Sequence, residues 1–353
     1  MTNYHDRSIK FAVIGCGHIG KRHAEMIQRN PESELVALCD VRPAAELGLK
    51  DFENTPFYNS PEAMFSAHPD IDVVNICTPN GLHAEHSLLA LGHQKHVVCE
   101  KPMAITKQDC EKIIYKALQV SRNVFGVMQN RYSPPSTWLK QVVENKLLGE
   151  IYLVQLNCFW NRDDRYYKKG SWKGSSDLDG GTLFTQFSHF IDIMYWVFGD
   201  ITDINGVFAD FNHAQSTSFE DTGIVNFRFI NGGMGSVNYT TSVFDTNLES
   251  SITVIGSKGS LKIGGQYMNE VVYCHIEGYT MPELPPVNPA NDYGVYKGSA
   301  ANHHYIIENV IDTLKGRTTM TTNALEGLKV VEIIERIYAL RKLSKPEIRC
   351  KNV

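Results

Sequence analysis

The segment VVCEKPMA (Val97–Ala104) sets Glu100, Lys101 and Pro102 directly behind apolar residues that read as a buried strand. A lysine ammonium at such a strand end can stabilise the alkoxide that develops as an alcohol becomes a carbonyl. With its pKa depressed by burial it can instead accept the proton. The plainer alternative is a strand-end ion pair, and Glu100 is open between orienting Lys101 and pairing with something else. A second constellation, FAVIGCGHIGKRHAEMI, carries Gly15, Gly17 and Gly20 in G-x-G-x-x-G spacing between a strand and a helix, with His18 and Ile19 inside the turn. Gly15 permits the tight turn, Gly17 lets backbone approach a pyrophosphate, and Gly20 allows close helix–sheet packing. Twenty residues after Gly20, Asp40 ends the next strand, where a carboxylate accepts both ribose hydroxyls of NAD and opposes the 2′-phosphate of NADP. Arg42 works the other way, because an arginine can meet a phosphate. Thr78 and Asn80 follow a later strand, and His83 opens the next helix as either a cap or a cofactor contact. By the same geometry Glu100 and Lys101 arrive at the reacting end of the cofactor.

The elements around these residues are of two kinds. From Lys10, short apolar runs alternate with amphipathic stretches: KFAVIG, ELVALCD, DVVNICT, HVVCEK and NVFGVMQN as strands, with helices at Ile19–Asn30, His83–Leu91 and Lys107–Val120. That order specifies a parallel sheet flanked by helices. After Asn130 come a helix entered through prolines, a longer strand EIYLVQLNCFW, a helical run through DGGTLFTQFSHFIDIMYW, and β-rich segments with hairpin-like breaks. Pro282–Gly298 reads as a loop before helices at Ala300–Lys315 and Thr322–Leu343. The expected fold is α/β: a Rossmann dinucleotide-binding domain over residues 1–128, then an α+β domain over 129–353 with a large, mainly antiparallel open sheet.

Composition bounds the function. The 353 residues are 42% hydrophobic and 21% charged, with 34 basic against 39 acidic side chains and a net charge of −5, so no nucleic-acid or anionic-membrane partner is indicated. No signal core or membrane span is evident, and the reading is cytoplasmic. The eight cysteines occur singly and are expected reduced. No H-E-x-x-H, C-x-x-C or carboxylate cluster indicates a metal.

These residues, together with TPNGLH and CEKPMA, resemble the Gfo/Idh/MocA family of nicotinamide-dependent sugar and polyol oxidoreductases over nearly the whole chain. The resemblance implies that Lys101 is catalytic and that His189, on the second-domain helix, faces it across the substrate. Many members carry an aspartate four residues before that histidine; here the position is Thr185. A narrower resemblance, in NCFWNRDDRYYKKGSWKGSSDLDGGTLFTQFSHFID, is to the UDP-N-acetylglucosaminuronate 3-dehydrogenases of bacterial surface-polysaccharide and lipopolysaccharide pathways. It implies NAD as cofactor, a UDP-sugar acid as substrate, and oxidation of the sugar 3-hydroxyl to a 3-keto sugar nucleotide. It also implies substrate contacts from Lys101, Asn161, Arg162, Tyr166, Gln186, Ser188 and His189, with a 2-oxoacid as one route for reoxidising NADH. Family members commonly form tetramers through the open sheet.

The residues fit such a ligand without the name. Arg162, Arg165, Lys168, Lys169 and Lys173 lie within twelve residues, interleaved with Trp160, Tyr166, Tyr167 and Trp172. Cations can meet diphosphate and carboxylate, and aromatic faces can meet uracil or sugar; the alternative is a solvated basic loop. Asn302 and His303, near a helix start, read as surface caps. Other readings are a dehydrogenase of a free sugar or cyclitol, an enzyme that retains its NADH, and a non-catalytic NAD-binding regulator.

Overall fold

The computed structural model describes residues 4–294 and 296–341. The chain forms two compact units: the residues through Met128 with His303–Val331, and Gln129–Asn302 with those from Glu332 onward. The first unit is therefore discontinuous, unlike the contiguous 1–128 domain of the expectation. Its returning helix, His303–Leu314, packs on the helix His18–Arg29. Beyond it, Lys315 and Arg317 reach Glu32 at 2.7 and 2.5 Å. These long-range contacts outweigh sequence adjacency.

In the first unit, strands β1 (Ile9–Ile14), β2 (Ser33–Cys39), β3 (Phe57–Tyr58), β4 (Val73–Ile76), β5 (His96–Cys99) and β6 (Val124–Gly126) form one sheet in the order β3-β2-β1-β4-β5-β6. All pairings are parallel. Parallel strands are covered on both faces, which is why VVNI and HVVC are buried at every position. The strand order reverses between β1 and β4, so the carboxyl ends of β1, β4 and β5 are where a ligand crevice belongs. Helices His83–Gly92 and Lys107–Val120 connect the later strands. The second begins at Thr106, whose side chain accepts from Asp109 N at 3.1 Å and caps the helix.

The second unit is built on seven strands, β7 (Ile151–Phe159), β8 (Ile201–Ala209), β9 (Thr222–Phe229), β10 (Met234–Thr240), β11 (Glu249–Gly256), β12 (Gly259–Gly264) and β13 (Glu270–Ile276). Their order is β13-β12-β11-β7-β10-β9-β8, antiparallel at every neighbour except β7 with β10. Alternation leaves one face buried, as with Val154, Leu156 and Cys158 on β7. Behind it runs the helical segment expected from FTQFSHF, a π-turn Leu183–Phe187 that continues as the α-helix Ser188–Phe198. Arg131 holds that helix through a buried bidentate pair with Asp192 at 2.7 and 2.8 Å.

Several boundaries differ from expectation. The stretch read as a loop contains a short pair, β14 (Ala290–Asp292) with β15 (Lys297–Ala300). The last two helices are His303–Leu314 and Ala324–Arg341; Lys342 and Leu343, assigned to the second, lie outside the described residues, as does Cys350. The seven described cysteines are free thiols, all but Cys274 buried. Among the described residues no helix is long and apolar enough to cross a membrane.

Candidate active site

The glycine turn divides its work as its spacing implies. Gly15 sits at φ +92°, and a Cβ there would lie 2.6 Å from the Cys77 carbonyl group. A Cβ on Gly20 would strike the Gly15 carbonyl, so the helix can approach the turn only as glycine. At Gly17 nothing lies within 4 Å of the position a Cβ would take. Gly17 is also the N-cap of His18–Arg29, with no side-chain cap, so that open side borders a helix N-terminus with amides for an anion. His18 is exposed and Ile19 half-buried beside it.

Asp40, at the end of β2, accepts from Cys16 N at 2.8 Å and from Arg42 N and Nε at 3.0 and 3.2 Å. Burial opposes its ionisation, but the hydrogen bonds from Arg42 and Cys16 outweigh that and hold its pKa below the ordinary value. Arg42, the residue that could have met a phosphate, is spent on this carboxylate. Uncapped helix, open glycine and anchored carboxylate together fit a dinucleotide.

Beyond β4, His83 is buried and neither caps its helix nor leaves a ring nitrogen for a ligand. Nδ1 lies 2.6 Å from the Pro102 carbonyl and Nε2 2.8 Å from that of Thr78, so the ring ties together the loops after β4 and β5. Thr78 Oγ1 lies 3.1 Å from His86 Nδ1, and Asn80 is buried in a short 3₁₀ turn.

At the end of β5, Lys101 is half-buried and precedes a cis Lys101–Pro102 bond. Its backbone N–H donates to Glu100 Oε2 at 3.1 Å. Glu100 Oε1 lies 2.9 Å from His23 Nε2 and 3.5 Å from His303 Nε2, while Asn75 Nδ2 donates to His23 Nδ1 at 2.8 Å. Burial would raise the Glu100 pKa, yet the imidazoles outweigh it and keep the carboxylate ionised, whereas burial pushes His303 down to about 4. The carboxylate thus orients the Lys101 main chain. His303 is a correction: a residue read as a surface cap is 2% exposed and belongs to this cluster. Asn302 is also buried rather than a surface cap, donating to Gln129 O and Ser133 Oγ. A histidine at a helix start carries no sign of the partner that a returning segment will meet.

In the second unit the five cations of the loop separate. Arg165 is exposed and neutralised by Asp163 and Asp245 at 2.7 and 3.2 Å; Lys168 and Lys169 are exposed. Arg162 is 2% exposed, so it belongs to no solvated loop. Its Nε donates to Gln186 Oε1 at 2.6 Å and its guanidinium lies among the Trp160, Tyr166 and Tyr296 rings at 4.8–5.2 Å. Gln186 in turn donates to Tyr166 OH at 2.8 Å. Lys173 lies 3.8 Å over the Tyr166 ring and 3.3 Å from Tyr296 OH, and burial beside Arg162 pushes it down to about 8. Arg162, Lys173, Tyr166 and Gln186 therefore form one positively charged, aromatic cluster. Asn161 holds the loop instead, donating to Val243 O at 2.6 Å, and Trp160 is core, donating to Ser250 Oγ at 2.8 Å. Trp172 is half-buried. Ser188 and His189 are buried on the adjoining helix, and among the described residues the Ser188 hydroxyl has no hydrogen-bond partner.

Among the described residues, two clusters bring histidine and carboxylate atoms within 4.8 Å, His23–Glu100–His303 and Asp210–His213–Asp221. Each is hydrogen-bonded internally. The second supports the site, because the His213 ring also meets the Arg162 carbonyl.

Fold and cofactor cradle define an NAD-dependent oxidoreductase. Residues 9–127 match the family model described as oxidoreductase family, NAD-binding Rossmann fold, and residues 137–262 match the GFO/IDH/MocA C-terminal domain. The chain belongs to the Gfo/Idh/MocA family, as an NAD-dependent dehydrogenase. Among solved structures it is similar to the WlbA dehydrogenase from Bordetella pertussis, in complex with NADH and UDP-GlcNAcA: 30% identical, covering 96% of this chain and 98% of that one, TM-score 0.84. The corresponding complex from Chromobacterium violaceum is also 30% identical, covering 97% and 96%, with a TM-score of 0.86. Among curated relatives, D-glucoside 3-dehydrogenase of Escherichia coli is 26% identical, covering 94% of each chain. Glucose-6-phosphate 3-dehydrogenase of Bacillus subtilis is 27% identical, covering 96% of this chain and 97% of its own.

Proposed function

We propose that this dehydrogenase oxidises the 3-hydroxyl of a UDP-N-acetyl-hexuronate to a 3-keto sugar nucleotide, for bacterial surface-polysaccharide and lipopolysaccharide synthesis. The observation that carries the reading is full-length similarity, at 30% identity, to two dehydrogenases solved with NADH and UDP-GlcNAcA. The cluster of Arg162 and Lys173 among tyrosines supports it, since a net-acidic chain that binds a diphosphate and a carboxylate needs cations gathered at the site.

Bound at the glycine turn, NAD supplies the hydride acceptor. The chain's own part is to carry the proton and the charge. Lys101, on the rigid end of β5, stabilises the developing alkoxide or accepts its proton. His189 takes or passes on that proton. Arg162, Lys173, Tyr166, Trp172, Gln186 and Ser188 hold the sugar nucleotide. The enzyme works in the cytoplasm, as a homotetramer through the open sheet, and a 2-oxoacid can reoxidise its NADH.

A second reading, a 3-dehydrogenase of free or phosphorylated hexoses, is favoured by the two curated relatives named above. The test is absorbance at the NADH band with NAD, a panel of UDP-sugars, the matching free and phosphorylated sugars, and 2-oxoacids. NADH should form with the UDP-N-acetyl-hexuronate. Equal turnover of the free sugar would overturn the sugar-nucleotide reading.

A further inference from the structure

Asp179 is a fully buried carboxylate that the site described so far does not use. It is 0% exposed. Its Oδ2 accepts from Gly174 N at 2.8 Å, and its Oδ1 accepts from the Thr185 hydroxyl. The loop that carries it is held in place. Gly174, Gly180 and Gly181 all have positive φ, and a Cβ on Gly181 would lie 2.6 Å from Tyr338 OH, itself the acceptor of Leu183 N at 2.7 Å. The carboxylate is thereby held against the Thr185 hydroxyl, through which a proton can reach it.

Thr185 is suited to the other half of that traffic. It stands four residues before His189 on the same helical run, a spacing that places side chains on one face. Between Gly181 and Phe190 it is the only residue that is not buried. Its hydroxyl donates to Asp179, so a proton taken up at its oxygen can be handed on to that carboxylate.

Resting on the dehydrogenase reading above, we propose that Asp179 is the terminal proton acceptor of the alcohol oxidation and is reached through the Thr185 hydroxyl. As a proton released from the sugar hydroxyl bonds to Thr185 Oγ1, the original Thr185 proton passes to Asp179 Oδ1. One O–H bond forms and one breaks at Thr185, leaving a neutral carboxylic acid. Thr185 is thus the relay, and Asp179, acting through it, the final acceptor.

The charge environment favours this use. Burial pushes Asp179 up to about 6, against the N–H groups of Gly174 and Gly181 and the Lys173 ammonium, which favour the anion. The Tyr166 and Tyr167 phenols also face it, and both are held neutral by burial. Because the pKa is raised, the group is ionised above about 6 and protonated below it, so acceptance is lost as pH falls through that value.

The alternative is that Asp179 only organises its loop. Asp179→Asn separates the two, since the amide oxygen still accepts from Gly174 N but the group no longer takes a proton. The experiment is kcat and KM against pH for wild type, Asp179→Asn, Thr185→Val and Thr185→Ser, with NADH fluorescence to measure cofactor binding. The wild type should show an acid limb near 6. Asp179→Asn and Thr185→Val should lose ~10²-fold in kcat, with the limb abolished in the former and cofactor binding unchanged in both. Thr185→Ser should stay close to wild type. A wild-type profile in Asp179→Asn, or wild-type kcat in Thr185→Val, overturns the relay. The profiles are run on whichever sugar the wild type oxidises. Failure of the UDP-hexuronate reading then shows as a different substrate, and failure of the relay as superimposable profiles.

Discussion

Among single residues, Lys101 is the one on which turnover should depend most. β5 is a fully buried strand, and the Glu100 carboxylate fixes the Lys101 amide at 3.1 Å while two imidazoles hold the carboxylate. Such support suits a side chain that must keep its geometry through a reaction. A strand-end ion pair would need none of it and costs only about 0 to 1 kcal/mol to lose. Lys101→Met keeps the apolar stem and removes the ammonium. The variant should fold and bind NAD yet lose ~10²-fold or more in turnover, measured as NADH formation beside NADH fluorescence titration. Near-native turnover would move the chemistry to another residue. The loop cations teach a second lesson at this scale. Arg162 and Arg165 are three residues apart, yet one is buried among tyrosines and the other neutralised at the surface. Charge in a sequence says little until its partners are known.

At the scale of the element, the glycine turn makes a prediction that separates binding from folding. Gly17 has φ −69° and open space where a Cβ would point. Gly17→Ala should therefore keep the wild-type melting temperature while weakening NAD, because the new methyl occupies the pyrophosphate's approach. Gly20→Ala puts its methyl into the Gly15 carbonyl, so it should lower the melting temperature as well. Thermal melts with and without NAD distinguish the two, and equal behaviour of the variants would contradict the division of labour. The turn, its helix and Asp40 were legible because each is local: strand, glycines and acid follow one another within thirty-two residues, Ile9 to Asp40. His303 was not legible, since its partners His23 and Glu100 come from segments hundreds of residues away.

At the scale of the whole molecule, the seven-stranded sheet has a solvent-facing side with an apolar row across it. Ile255 on β11, Leu153 on β7 and Met234 on β10 are register neighbours, and each is at least 38% exposed. An association surface on this face would present such a row. A tetramer through this sheet would cover them. Sedimentation velocity should give a mass near four chains for the wild type, and Leu153→Lys, which places a cation in the row, should shift it to smaller species. A monomeric wild type, or a variant with unchanged mass, would place the assembly elsewhere.

The local and periodic features were readable from the chain alone. Alternating apolar runs and helices imply a parallel sheet, glycine spacing implies a nucleotide turn, and EKP at a strand end puts a lysine where the sheet's carboxyl edge lies. Each follows from short-range sterics and burial pattern, which neighbouring residues carry in full. Which polar side chains lose their water depends on how distant segments pack. Packing set Arg162 and Lys173 among aromatic rings, brought Asp179 against Thr185, and returned His303 to Glu100. Those outcomes depend on residues far apart in the chain meeting in a low-dielectric interior, where an unpartnered charge is costly and a partnered one acquires a new pKa.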